Sequence, residues 1–497
     1  MASFASASPS SATSSSSSSL GPLALFVEIA DGGYRGRVLK TRRAFKAGDA
    51  VFADTALIGA SWNEDECIEC ATVRGAQSHP SSACPRLRGL GYPEALASNI
   101  EAVELAICHA LVPEEGEDDG MNDDDDEEVV NPLDYLDKAR CIIKFIVRCG
   151  ARDGVEKVLR PVQRLTVANQ ARDAQTIARI RQLPEVVALG LLPADASQGG
   201  LTDLELTQFL GGLNTNSHTL DMGGSAMFMI GAMMQSDCAP NCAYFTHARG
   251  TRLSVVALRP LAVGESISID YGNNFYRPTE FRRTGLRGAY GFTCACSSCT
   301  TLVDTCRAFY CPVSTCSGVV SPRGEGDAPG SWQCTACSRT LSEEERTHFV
   351  SIEQRLMREE PLDSEEACDA AIAKHRIHPT HHIIFWCLHA LGELGLEMAN
   401  QLEKGEAARI WRRVISLASS VLPPNHPELV LLHDKLAQVE CMTGNRSAAV
   451  EAWSTAYELA CKSSDVLTRR HIKRLRDNPP GDLPTMRAIY DEQAASR

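Results

Sequence analysis

Cysteines are the residues whose spacing first suggests chemistry. Cys294, Cys296 and Cys299 form a C-x-C-x2-C run. Three thiolates so close leave a tetrahedral metal one ligand short, and the fourth must come from a distance. Cys238, in Asp237-Cys238-Ala239-Pro240-Asn241, is the best candidate; the alternative is a set of small buried hydrophobes. A second set pairs Cys311-x4-Cys316 with Cys334-x2-Cys337 across a turn-rich loop. Two knuckles and a loop predict a ribbon-like zinc site closed by four thiolates, with a folding role and no open position for catalysis. Cys306 is left over and could substitute for one of them. Between residues 60 and 112 stand Cys67, Cys70, His79, Cys84, Cys108 and His109. Cys67, Cys70, His79 and Cys84 could hold one zinc, or be free thiols in a degenerate insertion. The stretch Gly264-Glu265-Ser266-Ile267-Ser268-Ile269-Asp270-Tyr271-Gly272 reads as turn, strand and turn, with a tyrosine at the strand end.

The elements that must position these residues occupy 497 positions, enough for two to four domains. The chain is 44% hydrophobic and 23% charged, an ordinary balance that buries a sizeable core. No stretch of about 20 apolar residues is free of charge, which excludes a spanning helix. Eleven acids lie between Glu114 and Glu128, and without them the net charge goes from −14 to −3. A nearly neutral folded part, with no basic helix after the knuckles, argues against a nucleic-acid-binding protein. Twenty cysteines with knuckle spacing and no secretory segment before them read as metal ligands in a reducing compartment, cytosol or nucleus.

Residues 1–21 are a Ser-rich, low-complexity tail; a chloroplast transit peptide competes, although the first basic residue is Arg35. Strands are expected at Leu23 to Ile29, Arg37 to Lys40 and Val51 to Gly59, around Gly-rich turns. Helices are expected over 94–112, around Tyr135 to Ile146, and from Leu165 to Leu183. Short strands follow from Ser225 to Tyr271, and residues 342–497 are helical throughout. One window there, with Ala437, Gly444, Ala449, Trp453 and Ala456, matches a tetratricopeptide unit. Met227, Met229, Met233 and Met234 are expected in the core. His381, His382 and His426 are expected as helix caps or surface residues.

Several motifs stand in a telling order: Gly33-Tyr34-Arg35-Gly36, then Lys46-Ala47-Gly48-Asp49, Asn214-Thr215-Asn216-Ser217-His218, Cys238-Ala239-Pro240-Asn241, Gly264 to Tyr271, and Tyr290-Gly291-Phe292-Thr293 running into Cys294-Ala295-Cys296 and on to Cys299. This order resembles a SET domain with its post-SET zinc segment. With a cysteine segment and helical block splitting the SET halves and a helical domain after them, the chain resembles the SET-and-MYND (SMYD) family of protein lysine methyltransferases over roughly residues 22–480.

The resemblance implies an α+β fold. A β-rich SET domain is split by a helical insertion, followed by post-SET and ribbon-like zinc segments and an all-α, TPR-like C-terminal domain. The expected boundaries are 22–60 for the N-terminal SET half, 61–112 for a degenerate MYND-like segment, 113–130 for an acidic linker, 131–210 for the insertion, 211–275 for the SET core, 276–340 for the post-SET and ribbon segments, and 341–497 for the helical domain. The implied activity is methyl transfer from S-adenosylmethionine to a protein lysine, on a histone tail or another protein, in nucleus or cytoplasm. The Gly33, Tyr34, Arg35, Gly36 turn would wrap the cofactor, Asn216 would meet its amino-acid or ribose end, and Phe292 would stack near its adenine. Tyr271 matches the catalytic tyrosine and Tyr290 would line the lysine channel. Asn241 would hold a knotted segment together. Two structural zincs are implied, on Cys238, Cys294, Cys296 and Cys299 and on Cys311, Cys316, Cys334 and Cys337. Further protein partners would dock on the helical domain; direct nucleic-acid or membrane contact is not expected. The chain departs from the family where Gln235-Ser236-Asp237 replaces Asn-His-Ser. That change keeps open an alternative, a catalytically weak SET-fold scaffold for protein–protein interactions.

Overall fold

A computed structural model describes residues 21–33, 36–69, 84–113, 130–151, 153–192, 200–221, 223–247, 251–272, 274–301, 303–322, 332–359, 362–397 and 405–496. The tail up to residue 20, the acidic run, Tyr34, Arg35, Cys70 and His79 lie outside them.

Twelve short strands are present among the described residues. They are β1 (Val27–Asp31), β2 (Arg37–Thr41), β3 (Ala50–Thr55), β4 (Ile58–Ala60), β5 (Ser217–Thr219), β6 (Ser225–Met227), β7 (Gln235–Ser236), β8 (Cys242–His247), β9 (Arg252–Ala257), β10 (Ser268–Ile269), β11 (Phe309–Tyr310) and β12 (Val319–Val320). They make small sheets: the β1–β2 hairpin, β3-β9-β8, β4-β6-β5, the parallel pair β7–β10, and β11–β12. Strand alternation sets the core face. In β9, Leu253, Val255 and Ala257 are buried while Arg252 is exposed. The expected strand at Leu23 to Ile29 is shifted, because Gly21–Leu25 forms a 3₁₀ turn and pairing begins only at Val27. The expected strand Val51 to Gly59 is two strands. β3 pairs with β9 and β4 with β6, and the chain changes partner at Ala56 and Leu57.

Between β4 and β5 lies a helical block. Its main helices are Ile100–Leu111, Leu136–Gly150, Gln170–Gln182 and Asp203–Asn216. Ala139, Ile142, Ile143 and Phe145 are buried at helical spacing, and Phe145 stacks on Phe209 at 3.9 Å between ring centroids. Arg140 is fully buried there. It pairs with Glu104 at 3.1 Å and donates to the carbonyls of Ser61, Asn63 and Glu66, so the charge is matched on every side. Cys67, Cys84 and Cys108 are buried in the same core, and no metal cluster forms here among the described residues. The third helix starts at Gln170, five residues later than Leu165.

The C-terminal helices run from Glu343–Arg358 to Leu483–Ser496. Pro427–Met442 packs on Arg446–Ser463. Ala437, Ala449 and Ala456 are fully buried where the helices approach, and Gly444 turns the chain between them at φ +82°. Trp453 fills the gap, its Nε1 donating to Asp434 at 2.8 Å. The ribbon shares this core: Phe309, Cys311, Val320, Trp332 and Cys334 belong to one buried cluster with the helices. Cys306 is buried there too, away from the ribbon thiols, so it is no substitute ligand. His426 caps the Pro427–Met442 helix by accepting from Glu428 N. His381 also accepts at a helix start, from Ile383 N, but it is wholly buried rather than superficial, because Glu353 reaches it from another helix.

Candidate active site

Tyr271 stands two residues beyond the end of β10, after Asp270. The Asp270 carboxylate accepts from the backbone of Gly272 and Asn274 and from the Asn274 side chain, which folds the chain sharply after the strand. The Tyr271 hydroxyl donates to the Met234 carbonyl. Tyr290 ends the Thr279–Tyr290 helix, and Gly291 in the left-handed region (φ +71°) caps it. That turn sends Phe292 and Cys294 back along the same wall. The Tyr290 hydroxyl donates to the Tyr271 carbonyl at 3.1 Å, and the two rings stand 5.1 Å apart. Burial first, then the neighbouring Tyr290, push the Tyr271 phenol well above its ordinary pKa.

Two cavities meet at these tyrosines. The larger, of about 800 Å³, is lined by Asn216, Gln235, Ser236, Phe292, Cys294 and Cys296 among others. The smaller, about 60 Å³, is lined by His218, Tyr244, Asp270 and their neighbours. Tyr271, Tyr290, Asn216, Thr215 and Ala232 border both. The structure thus brings together six of the residues singled out in the sequence: Asn216, Gln235, Ser236, Tyr271, Tyr290 and Phe292. Asn216 spends its amide hydrogens on the Thr166 and Gly212 carbonyls, fixing the end of its helix at the cleft. The Ser236 hydroxyl is buried with no hydrogen-bond partner. Gly33 and Gly36, both at positive φ, form the turn just before Arg37, which lines the larger cleft. Met227 and Met234 are buried as expected of core residues, and Met233 and Met234 also line the cleft.

A crossed segment supports the wall. β7 and β10 pair in parallel, and Asn241 sits beside them. Its amide donates to the Ser266 carbonyl at 2.8 Å and its oxygen accepts from Ser268 N at 2.8 Å. Asp237 accepts from Ala239 N, a turn role. Arg37, Tyr244 and the Arg259–Glu265 ion pair at 2.6 Å were not readable as site residues. Glu265 stands in the Gly264 to Tyr271 motif without a sign of its ion pair, no motif marks the others, and only the fold carries them all to the cavities.

The SET domain family model matches residues 36–272, ending one residue after Tyr271. Residues 36–272 are a SET domain. The match lies within a chain related to known methyltransferases. "Histone-lysine N-methyltransferase set5" of Schizosaccharomyces pombe is 35% identical over 92 residues, 18% of this chain and 28% of that protein. "N-lysine methyltransferase SMYD2" of Homo sapiens is 37% identical over 90 residues, 18% of this chain and 20% of that protein. The matched segments therefore span less than a third of either relative. A solved structure titled "Structure of Rubisco LSMT bound to AdoMet" overlaps 96% of this chain and all of that one, at 10% identity and a TM-score of 0.29, too loose to bear on the site.

Both predicted thiolate sets close beside the SET domain. Cys238, Cys294, Cys296 and Cys299 place their sulfurs within 4.8 Å of one another, as do Cys311, Cys316, Cys334 and Cys337. Tetrahedral zinc with bonds near 2.3 Å requires sulfurs roughly 3.8 Å apart. Separations of 3.6 and 4.0 Å in the first set and 3.5 and 3.9 Å in the second meet that requirement. The clusters fit two zinc sites. A third grouping, Glu353 with His381 and His382, does not fit a cation. The Arg307 guanidinium already holds both Glu353 oxygens, at 2.7 and 2.8 Å.

No helix among the described residues is long and apolar enough to cross a membrane.

Proposed function

We propose that this chain is a protein-lysine N-methyltransferase that takes its methyl group from S-adenosylmethionine. The observation that carries this reading is the meeting of a large cleft and a small pocket at Tyr271 and Tyr290. One cavity suits a cofactor, the other a lysine side chain, and they touch where a methyl group would pass.

The larger cleft fits the cofactor on its own chemistry. It offers an aromatic face at Phe292, a buried, unpartnered hydroxyl at Ser236, the side-chain oxygen of Asn216 and the amide of Gln235. These residues, with the Gly33, Tyr34, Arg35, Gly36 turn, would hold it. Bound there, S-adenosylmethionine supplies a sulfonium-bound methyl group open to in-line displacement. The chain's own part is positional. The small pocket strips water from the lysine and so favours its neutral amine. That cofactor would supply the methyl group and keep the C–S electron pair on its sulfur, while the small pocket would present the amine lone pair and let the nitrogen shed one proton. Tyr271 and Tyr290, tied to backbone carbonyls, keep fixed hydroxyl oxygens beside that path. Zinc at the thiolate clusters would brace the wall, since Cys294 and Cys296 line the cleft. The substrate is a lysine on a histone tail or another protein. The helical C-terminal domain is the surface for further partners, and the thiolate sites suit the reducing cytoplasm or nucleus.

The test is calorimetric titration of the zinc-replete protein with S-adenosylmethionine. Micromolar binding that Phe292→Ala abolishes, followed by methyl transfer to core histones or a lysine peptide library that Tyr271→Phe abolishes, supports the reading. A folded protein that binds no cofactor refutes it and leaves the scaffold alternative.

A further inference from the structure

The small pocket contains a further polar side chain. His218 lies on β5, inside the SET core, and its ring faces the pocket that Tyr244, Tyr271 and Tyr290 also line. The ring is held edge-on between Tyr244, at 5.0 Å, and Phe228, at 5.7 Å. Gly231 leaves it room: a Cβ there would come within 3.3 Å of the ring edge. Its Nδ1 is buried and makes no hydrogen bond of normal geometry. Burial lowers its pKa to about 4, more than the nearby Asn216 carbonyl raises it. At neutral pH the ring is therefore uncharged, with one N–H and one lone pair.

An uncharged polar ring in a pocket of about 60 Å³ changes what an amine can do there. An amine that keeps an N–H can donate to the imidazole, directly or through one water. An amine with more methyl groups has fewer hydrogens to donate and leaves the buried lone pair unmatched. We infer that His218 is a product-limiting residue that holds the lysine nitrogen by its remaining N–H, so that the protein stops at monomethyl-lysine. The inference rests on the methyltransferase reading. It acts through the orientation of the nitrogen: a monomethyl amine tied to His218 points its lone pair away from the incoming methyl group.

The experiment uses the full-length, zinc-replete protein, S-adenosylmethionine and a peptide library with one central lysine, with products resolved by mass spectrometry. Wild type should yield monomethyl-lysine as the main product. His218→Phe and His218→Leu remove the ring nitrogens and should raise the di- to monomethyl ratio roughly tenfold, the scale on which a site rejects an imperfectly matched group. His218→Asn keeps a polar group and should hold the wild-type ratio. Trimethyl-lysine as the main wild-type product overturns the inference, as does an unchanged ratio in His218→Phe or His218→Leu, or an equal rise in all three variants. Binding of cofactor without transfer by wild type to any peptide overturns the methyltransferase reading, and this inference with it. Transfer with the wrong product pattern overturns this inference alone.

Discussion

Tyr290 donates its hydroxyl hydrogen to the backbone carbonyl of Tyr271, 3.1 Å away, so the helix that ends in one tyrosine is locked to the turn after β10 that carries the other. Tyr271 in turn donates to the Met234 carbonyl. The two rings form one rigid partition between the cavities.

Tyr271→Phe should test that partition. The phenylalanine ring fits the same space, so the fold and the larger cleft persist. Removing a fixed hydroxyl oxygen beside the reacting nitrogen should cost methyl transfer about 100-fold or more. Affinity for S-adenosylmethionine should change by less than about threefold, a difference well under 1 kcal/mol. Calorimetry and initial rates, measured on one preparation, check both statements.

Ser236→Ala separates stability from binding. The buried hydroxyl has no partner in the protein, so its loss should leave the melting temperature unchanged or slightly higher. If the cofactor satisfies that hydroxyl, affinity should fall by about 1 kcal/mol, roughly fivefold. A lower melting temperature with unaltered affinity would refute this role.

Metal content should be two zincs per chain, read by elemental analysis. Cys334→Ser should leave one. The ribbon is joined to the helical domain at several points. Tyr310 N donates to the Arg376 carbonyl at 2.7 Å, His378 N to Ala308 at 3.0 Å, and the Arg376 guanidinium to the Cys311 carbonyl at 2.7 Å. Losing the ribbon metal should therefore lower the unfolding temperature of the helical domain, because a structural site contributes folding energy directly. Hydrogen exchange at residues 376–380 is the local readout.

Acid should begin to destabilise the fold below about pH 6.5 through its buried histidines. Burial holds His218 and His426 both near 4, below the 6.5 of a free imidazole. Folded values below unfolded ones mean that the unfolded chain takes up protons first. The stabilisation is complete above about pH 6.5 and is lost as pH falls towards 4. His426→Gln should flatten the dependence of unfolding free energy on pH in that window, by on the order of 2 kcal/mol. An unaltered slope would refute it.

The chemistry of the site was legible wherever spacing encodes it. Two cysteine knuckles and a C-x-C-x2-C run specify clusters by local geometry, and Cys238 was recoverable because a tetrahedron lacks a fourth corner. The motif around Tyr271 singled out a residue that the fold does place at both cavities. His218 stands within a motif that gives no sign of its burial, since its place between Phe228 and Tyr244 is decided by residues outside that motif. His381 looked superficial for the same reason: Glu353, its partner, is 28 residues away and is itself held by Arg307. The break at Ala56 and Leu57 was invisible because a run of strand-forming residues does not reveal a change of partner. Arg37 had no signal at all.

The pairing of β3 with β9 has a consequence for how the chain comes off the ribosome. Residues 50–55 find their partners only at 252–257, and β4 waits for residues 225–227. At ordinary synthesis rates of 5–20 residues per second, those first strands stay without their sheet partners for on the order of ten seconds or more. The helices of the insertion emerge in that interval, with contacts available among themselves. The helices of the newborn chain's middle thus have partners before the sheets that flank them, and the cleft at Tyr271 and Tyr290, lined by residues from Arg37 to Ser297, is among the last features to close.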